Sequence, residues 1–237
     1  MRDVISLLKE WIIKYMNEKR YGKIQWNIDK KDDYVEFHNV QEIETWGTEH
    51  YLQWANKYKD VMRLAKNVVK TSLCTDVVEC YCGYSYRQIN QFLRNEIDTE
   101  YNQYREMTDI LSIVLCSAPR IPCDIVLYRM VNDVFINMLI SNNKKENPTP
   151  VQEKGFMSTS LLKNIANKNE PYAAENNLLK IFVPKDTIGI YVNMVTRRSE
   201  EEMLLFPNMY LGLASYPYKD HATAKTIFEC NLINFYH

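Results

Sequence analysis

The first half of the chain carries apolar side chains at helical spacing. Apolar residues recur three and four positions apart over residues 4–16 and again over residues 40–69. The same spacing predicts two further helices, near residues 86–95 and 107–115. The leading segment is amphipathic, and we expect its apolar stripe to pack against the rest of the protein. The pattern therefore predicts a mainly helical first half.

After Pro119 the pattern changes to short apolar runs that are bounded by turn residues. These runs are rich in β-branched and aromatic residues, which is typical of strands. They read DIVLYRMV, GFMSTSL, NLLKIFV, IGIYVNMV, EMLLF and TIFECNLINF. A helical half followed by a strand-rich half indicates an α+β domain and not a wound parallel sheet. The polar stretch 141–155 is rich in Asn and Pro and is predicted to be a surface loop.

A polar break, DKKDDY at residues 29–34, divides the leading helix from the rest of the chain. We therefore expect residues 1–34 to form an N-terminal helical extension and residues 35–237 to form the main domain. With 46% hydrophobic residues among 237, the chain can bury a sizeable core. Its early apolar run is too short for a signal sequence or a membrane span, so we predict no transmembrane segment.

Charge and cysteine content exclude some classes of function. The 29 basic residues nearly balance the 30 acidic ones, so no overall field attracts nucleic acid, and none is expected as a partner. The six cysteines are scattered over predicted helices and strands, and we expect reduced thiols. Cys80 and Cys82 lack the two-residue spacer of common zinc sites and no histidines cluster with them, so no metal site is predicted.

Three polar features interrupt the apolar runs of the second half: Arg129, the hydroxyl triplet at residues 158–160, and three glutamates at residues 200–202. Each has an ordinary explanation. An arginine on an alternating strand can face solvent, hydroxyls usually bond to neighbouring backbone, and a charged run is usually a solvated turn. An arginine that points inward would instead need an anion, and phosphate matches its planar guanidinium.

Alternation along a strand predicts which of these side chains share a face. The first and last hydroxyls of the triplet should lie on one face and Thr159 on the other. Likewise Glu200 and Glu202 should share a face, while Glu201 points away. Chemistry that passes through an oxocarbenium-like sugar needs one carboxylate to stabilise positive charge and a second to activate the nucleophile. The glutamates can supply such a pair.

Together with two upstream segments, these features resemble the bacterial ADP-ribosyltransferase toxins, which share the order Arg, Ser-Thr-Ser, Glu-x-Glu. The chain is similar to the enzymatic components of binary actin-modifying toxins, to the vegetative insecticidal protein and to the Rho-modifying exoenzymes. The upstream segments are FHNVQEIETWGTEHYLQWA at 37–55 and YCGYSYRQINQFLRN at 81–95. The second contains the family's Tyr, Tyr, Ile-Asn, Leu-Arg pattern. The resemblance extends over roughly residues 35–235.

The resemblance implies transfer of ADP-ribose from NAD to a protein side chain. It also implies a fold with two packed antiparallel sheets that form an NAD cleft. Arg129 would bind the NAD diphosphate. Tyr81, Tyr86 and Asn90 would help to hold the nucleotide.

The triplet and the glutamates would carry the chemistry. By resemblance, Ser158 would orient the catalytic carboxylate, and Thr159 and Ser160 would shape the strand beneath nicotinamide. Glu202 would hydrogen-bond the nicotinamide ribose and stabilise the oxocarbenium ion as nicotinamide departs. Glu200 would select the acceptor.

Glu200 occupies the position that distinguishes acceptor classes among the relatives. Those that modify asparagine carry Gln there, and those that modify arginine carry Glu. A guanidinium is protonated at ordinary pH and must lose a proton to act as a nucleophile, which a carboxylate can accept and an amide cannot. The resemblance therefore implies an arginine acceptor, with actin as the leading candidate.

The chain departs from the family pattern in two places. Relatives place an aromatic residue in the turn before Glu-x-Glu, where this chain has Arg197 and Arg198. Relatives also carry a Phe and an Arg downstream of the triplet that hold nicotinamide and phosphate. Here Lys163, Lys168 and Tyr172 are the candidates to replace them, and the sequence does not choose among them.

Three functions remain open from the sequence alone. The first is an arginine-directed mono-ADP-ribosyltransferase, a monomer and a toxin or effector that is secreted or delivered into a host cytosol. The second is an NAD glycohydrolase, in which water replaces the protein acceptor. The third is a catalytically silent module of the same fold that binds NAD or a protein.

Overall fold

The computed structural model describes residues 4–95, 103–167, 171–196 and 200–233. Its helices lie mainly in the first half of the chain. They are α1 (Val4–Tyr21), α2 (Val40–Ala55), α3 (Tyr58–Val69), α4 (Val77–Cys80), α5 (Tyr86–Asn95), α6 (Gln103–Ser117) and α7 (Asp133–Asn143), and a π-helical turn, Tyr81–Ser85, joins α4 to α5.

Nine strands lie in the described part of the chain from residue 125 onward. They are β1 (Ile125–Val131), β2 (Val151–Glu153), β3 (Met157–Ser160), β4 (Asn177–Val183), β5 (Gly189–Tyr191), β6 (Glu202–Leu205), β7 (Met209–Leu213), β8 (Tyr218–Lys219) and β9 (Thr226–Ile233). Short 3₁₀ turns lie at Lys31–Asp33, Lys163–Asn167, Pro171–Ala174 and Val192–Met194.

The strands are hydrogen-bonded in the order β2-β7-β9-β4-β1-β3-β6-β5, and β8 pairs with β9. All the pairings described are antiparallel except the parallel pair β4–β9. Among the described residues, Tyr128 and Ser160 form the register pair that joins β1 to β3. The α+β class with a helical first half is confirmed. Where two antiparallel sheets were expected, the described strands form one continuous sheet with two groups that meet at this pair. The group that contains β1 includes the parallel pair β4–β9, and the other group consists of β3, β6 and β5.

The sheet around β1 is covered on both faces. Ile125, Leu127 and Val131 point into the larger core, which they share with side chains of α2, α3 and α6. Val126 and Tyr128 alternate with them and point into a smaller core on the opposite face. Burial on both faces explains why this strand reads as an almost continuous apolar run.

Local sequence signals set the helix boundaries. Asn39 caps α2, because its side-chain oxygen accepts a hydrogen bond from the Glu42 backbone N–H at 3.0 Å. Glu42 in turn accepts from the His38 N–H at 2.9 Å, which completes a capping box. Asp76 caps α4 through bonds from two backbone N–H groups. These caps explain why α2 and α4 begin where they do.

The helices predicted at residues 40–69, 86–95 and 107–115 are confirmed, and a strand lies within each of the six apolar runs. In IGIYVNMV the strand is Gly189–Tyr191 and a 3₁₀ turn follows, and the last two residues of TIFECNLINF lie outside the described residues. The loop predicted at residues 141–155 is wrong in part. Helix α7 extends into it, and β2 forms within it by pairing with β7. The prediction failed because polar residues dominate this stretch, although Val151 and Glu153 are buried.

The expectation that the N-terminal helix packs its apolar stripe against the protein is also wrong. Residues 6–16 of α1 are all exposed, including Leu8 at 57% and Trp11 at 63%. The C-terminal end of the helix is the part that contacts the body. Tyr21 is buried, and the Asn143 side chain donates to its carbonyl oxygen at 2.7 Å. Gly22 ends the helix with φ 82°, where an added Cβ would lie 2.5 Å from the Asn143 carbonyl oxygen.

The segment after α1 is attached to the sheet. Trp26 packs over Gly212, and Lys31 forms an ion pair with Glu229 on β9. Val35 forms a parallel bridge with Ile125. Within the predicted extension, residues 1–34, α1 therefore extends away from the body, whereas the segment after it contacts the sheet. Among the described residues, no helix is long and apolar enough to cross a membrane.

Candidate active site

The sheet brings Arg129, Ser158 and Glu202 onto three neighbouring strands, β1, β3 and β6. The Arg129 guanidinium donates to the Ser158 carbonyl oxygen at 3.3 Å. Ser160 lies opposite Glu202 in the register of β3 and β6. Glu202 is 3% exposed, while Ser158 and Arg129 are half-buried. The arginine, the hydroxyl triplet and the last glutamate therefore lie on one continuous part of the sheet.

A cleft of about 540 Å³ opens beside β1, with Arg94 and Arg129 in its wall. Glu153 of β2 lies between them. Its carboxylate accepts two bonds from Arg94, at 2.9 and 3.1 Å, and forms an ion pair with Arg129 at 3.7 Å. Glu153 also accepts from the Gly155 N–H at 3.0 Å. Two guanidinium groups against one buried carboxylate leave this part of the wall with a net positive charge, which can attract an anionic group.

The three hydroxyls of the triplet have different surroundings. Thr159 is buried and donates to the Met203 carbonyl oxygen of β6 at 2.6 Å. Ser160 is also buried, donates to the Glu200 carbonyl oxygen at 2.7 Å and accepts from the Leu162 N–H at 3.1 Å. Ser158 is the half-buried member. Thr159 therefore fastens β3 to β6, and Ser160 fastens it to the turn that carries the glutamates.

The three glutamates do not lie in one extended strand, because Glu201 has φ 48° and β6 begins at Glu202. Glu201 has different partners from Glu200. Its buried carboxylate accepts hydrogen bonds from the Tyr191 hydroxyl and from the Asn193 amide, the latter at 3.2 Å. Burial and this carboxylate raise the pKa of Tyr191. Glu201 therefore anchors the turn from behind.

Glu200 is connected to the cleft through Tyr172. The Tyr172 hydroxyl donates to the Glu200 carboxylate at 2.9 Å, and Tyr172 also lines the cleft. Of the three candidates for the missing downstream residues, Lys163 is paired with Asp220 at 2.8 Å. Lys168 lies outside the described residues, as do Arg197 and Arg198 of the turn. Tyr172 is thus the candidate with a described contact at the site.

Tyr81 and Asn90 lie behind β3 and not in the open part of the cleft. Asn90 is buried, and its amide donates to the Tyr81 hydroxyl at 3.0 Å and to the Phe156 carbonyl oxygen at 3.1 Å. It accepts from the Phe156 N–H at 2.9 Å, and the Tyr81 hydroxyl donates to the Phe156 carbonyl oxygen at 3.0 Å. Burial raises the pKa of Tyr81, and nearby Arg129 opposes the rise. Tyr86 is exposed, and its hydroxyl accepts from Arg87.

Two residues with prominent places at the site were not predicted. Arg94 belongs to the upstream segment at residues 81–95, but no role was assigned to it. Glu153 was included in a predicted loop. A signal for Arg94 existed in its spacing from Asn90, four residues apart and so on one helix face. Glu153 gave no signal, because a single carboxylate in a polar stretch is ordinarily solvated.

The cleft fits NAD in charge and size, although Ser158, Glu200 and Glu202 are not among its lining residues. A pocket of this volume is typical for a small ligand, and the paired arginines suit a diphosphate. Glu202 offers a buried carboxylate on β6, opposite the last member of the hydroxyl triplet. Among the described residues, no group of three or more His, Cys, Asp or Glu side chains is placed to hold a metal ion.

Solved structures share this fold. The ADP-ribosylating toxin BECa of a binary enterotoxin of C. perfringens, crystallised with NADH, is 20% identical with a TM-score of 0.65. The match covers 85% of this chain and 50% of BECa, so the chain spans about half the length of that toxin. C3stau2 of S. aureus, crystallised with NAD, is 18% identical with a TM-score of 0.60, and 85% of this chain and 99% of C3stau2 are covered.

The C3 exoenzyme of Clostridium limosum is 17% identical with a TM-score of 0.57, and the match covers 85% of this chain and 98% of the exoenzyme. A comparison of the sequence with curated proteins gave no significant match. The model of the ADP-ribosyltransferase exoenzyme family matches residues 43–211, which include the cleft arginines, the hydroxyl triplet and the three glutamates. The chain therefore belongs to the ADP-ribosyltransferase exoenzyme family.

Proposed function

We propose that the protein transfers ADP-ribose from NAD to an arginine side chain of a protein acceptor. The observation that carries this proposal is the placement of Arg129, Ser158 and Glu202 on three neighbouring strands beside a cleft with two arginines. Membership of the exoenzyme family supports NAD as the donor. Two proteins of similar fold, BECa and C3stau2, were crystallised with NADH and NAD.

Donor binding follows from the charges in the cleft wall. The NAD diphosphate binds at Arg94 and Arg129, where it joins Glu153 as an anionic partner of the two guanidinium groups. Tyr86 contributes an exposed ring on α5, the helix that carries Arg94, and Tyr81 and Asn90 support the chain that leads into β3. Thr159 and Ser160 fix β3 to β6 and to the glutamate turn.

The chemical step breaks the glycosidic bond between ribose C1′ and nicotinamide. Glu202 hydrogen-bonds the ribose, and its negative charge stabilises the oxocarbenium ion as nicotinamide leaves with the bonding electron pair. Its burial makes this interaction stronger than it would be in water. Ser158 holds the Glu202 carboxylate in position. An acceptor nitrogen then forms the new bond to C1′.

Glu200 activates the acceptor arginine. It takes a proton from the arginine guanidinium, which makes the nitrogen nucleophilic, and Tyr172 orients it by a hydrogen bond of 2.9 Å. An arginine acceptor is the proposal because a carboxylate, and not an amide, stands at this position. Actin is the leading candidate, in line with the resemblance to binary toxin components, while the C3 exoenzymes among the similar folds make a different host protein the rival.

In this proposal the protein acts as a monomeric toxin or effector that is secreted or delivered into a host cytosol. Incubation with labelled NAD and a host-cell lysate, followed by mass mapping of the modified side chain, tests it. Label on arginine of a discrete protein supports the proposal. Label on asparagine contradicts the acceptor class, free ADP-ribose alone indicates an NAD glycohydrolase, and the absence of both products indicates a binding module.

We expect Glu200→Gln to reduce arginine transfer by about 100-fold or more, because an amide cannot accept the guanidinium proton. NAD hydrolysis should stay within about threefold of the wild-type rate, since water needs less activation than a guanidinium and Glu202 is intact. Initial rates with labelled NAD, with and without a small guanidino acceptor, measure both reactions.

Tyr172→Phe is the matched control for Glu200. It keeps the ring in the cleft and removes the hydrogen bond to Glu200, so transfer should fall by about threefold to tenfold only. Equal losses of transfer and hydrolysis in Glu200→Gln would contradict the division of roles between Glu200 and Glu202.

We expect Tyr191→Phe to lower the free energy of unfolding by about 2 kcal/mol, because the buried Glu201 carboxylate loses a hydrogen-bond donor. The glutamate turn then loses part of its anchor, so kcat should fall severalfold while KM for NAD changes little. Chemical denaturation and steady-state kinetics measure the two effects. An unchanged kcat in the folded variant would show that the anchor does not position the catalytic glutamates.

A further inference from the structure

Helix α1 carries an apolar surface that the rest of the protein leaves open. Within residues 6–16, its large apolar side chains are all between 42% and 63% exposed: Leu7, Leu8, Trp11, Ile12, Ile13, Tyr15 and Met16. Trp11 and Tyr15 stack on each other with ring centroids 5.7 Å apart, so they form one flat aromatic patch. A contiguous apolar surface of this kind on a folded protein indicates an interaction site.

The apolar side chains are arranged on one side of the helix. At about 100° per residue, the arc from Leu7 to Met16 spans about half of the circumference and includes every apolar residue of this set except Ile13. Lys9 and Lys14 lie about 20° beyond the two edges of this arc. Each lysine can therefore extend its aliphatic stem along the apolar side and keep its ammonium group at the boundary.

The charge of the segment is basic although the whole chain is nearly neutral. Residues 4–23 contain five basic residues, Lys9, Lys14, Lys19, Arg20 and Lys23, and two acidic ones, Glu10 and Glu18. Within the described residues no helix suits a membrane span. An amphipathic basic helix with Trp and Tyr on its apolar side and lysines along both edges matches the surface of an anionic bilayer, in which it lies in the plane.

The way α1 is attached fits such a use. Residues 6–16 are exposed, and the helix is held at its C-terminal end by the buried Tyr21 and by Asn143, which donates to the carbonyl oxygens of Tyr21 and Lys23. Most of the helix can therefore contact a flat surface without any rearrangement of the body.

We propose that α1 docks the protein onto the surface of an anionic phospholipid bilayer, with Leu8, Trp11, Ile12 and Tyr15 in the acyl-headgroup boundary and Lys9 and Lys14 among the phosphates. This interaction is separate from the proposed transfer reaction and does not depend on NAD. It holds the enzyme at a membrane.

Binding of the full chain to vesicles tests the proposal. The protein should co-sediment with phosphatidylserine-containing vesicles and not with phosphatidylcholine vesicles, and its Trp emission should shift to shorter wavelength. Trp11→Phe should remove most of this shift, because Trp46 and Trp54 are buried already and Trp26 is half-buried. Lys9→Gln and Lys14→Gln should each weaken binding about fivefold, and salt should weaken it further.

Ile12 and Ile13 form a matched pair of exposed isoleucines on and off the apolar arc. Ile12→Gln should weaken vesicle binding about tenfold, and Ile13→Gln should weaken it much less. Both variants should keep the wild-type thermal midpoint and the wild-type rate of NAD turnover, if the wild type turns NAD over.

Three results would overturn the proposal: no binding to anionic vesicles, equal effects of the two isoleucine variants, or equal binding to neutral vesicles. A concentration-dependent dimer in sedimentation velocity that Ile12→Gln dissociates, together with no vesicle binding, would assign the surface to a second copy of the chain. Because the vesicle assay contains no NAD, its failure is distinct from failure of the proposed enzymatic function.

Discussion

Glu202→Gln should abolish nearly all turnover of NAD. The substitution keeps the size of the side chain and removes the charge that stabilises the oxocarbenium ion, which costs roughly 3–5 kcal/mol in the activation barrier. Transfer and hydrolysis should therefore both fall by a few hundred to a few thousand times. Initial rates of nicotinamide release, with and without an acceptor, measure both reactions at once.

The loss should come from the chemical step and not from the fold. The Gln side chain is nearly isosteric with Glu, so the thermal midpoint should change little and NAD should still bind, as calorimetric titration can show. Retention of more than about a tenth of the nicotinamide release would contradict the role of Glu202. Comparison with Glu200→Gln then separates the two carboxylates, because only Glu202 serves both reactions in the proposed mechanism.

Asn90→Ala should have the largest effect on stability. The buried amide makes three hydrogen bonds, to the Tyr81 hydroxyl and to both backbone groups of Phe156. Its removal leaves the Phe156 N–H without this partner and opens a small cavity beside Gly155, so the free energy of unfolding should fall by about 3 kcal/mol. For a protein of this size the thermal midpoint should drop by about 10 °C.

Gln91→Ala is the control on the same helix, because Gln91 is exposed and its loss should change the midpoint by less than about 2 °C. Tyr81→Phe removes a hydroxyl from the same group and should cost about 1 kcal/mol. If Asn90→Ala instead kept the wild-type midpoint and weakened NAD binding, Asn90 would act on the nucleotide directly, as the resemblance implies, and not through the strand.

Much of the fold could be predicted because the apolar pattern and the local signals agree. Strand β4 coincides with the run NLLKIFV, and α5 coincides with the predicted helix at residues 86–95. Short strands such as β2 and β8 were not predicted, since two or three residues carry no periodicity that can be recognised. Their formation depends on pairing with β7 and β9, which only the folded chain provides.

The sequence predicted the types of residue at the site better than the contacts between them. The order of arginine, hydroxyls and glutamates indicated which strands would meet. The positive φ of Glu201 could not be predicted, because a glutamate rarely adopts this conformation and is held there by Tyr191 and Asn193. The roles assigned to individual site residues remain predictions.

The N-terminal helix shows a different limit. Spacing of Leu8, Trp11, Ile12 and Tyr15 predicts an amphipathic helix correctly, but an apolar stripe alone does not say what will cover it. The prediction that the protein itself would cover it reflected the common case. The exposed surface of α1 is instead the strongest indication of an external binding partner in the part of the chain that the structure describes.

The Arg129 side chain contacts the Ser158 carbonyl oxygen at the point where β1 and β3 diverge, next to their register pair Tyr128–Ser160. There the Arg129 guanidinium donates the hydrogen bond to a β3 carbonyl oxygen that a backbone N–H donates elsewhere in the sheet, and it links the two strands beyond their last register pair. The three N–H donors of a lysine share one nitrogen, so a lysine here could not both bond the Ser158 carbonyl oxygen and bind a diphosphate through two parallel hydrogen bonds. Arg129→Lys should therefore weaken the contact between β1 and β3 as well as the binding of NAD.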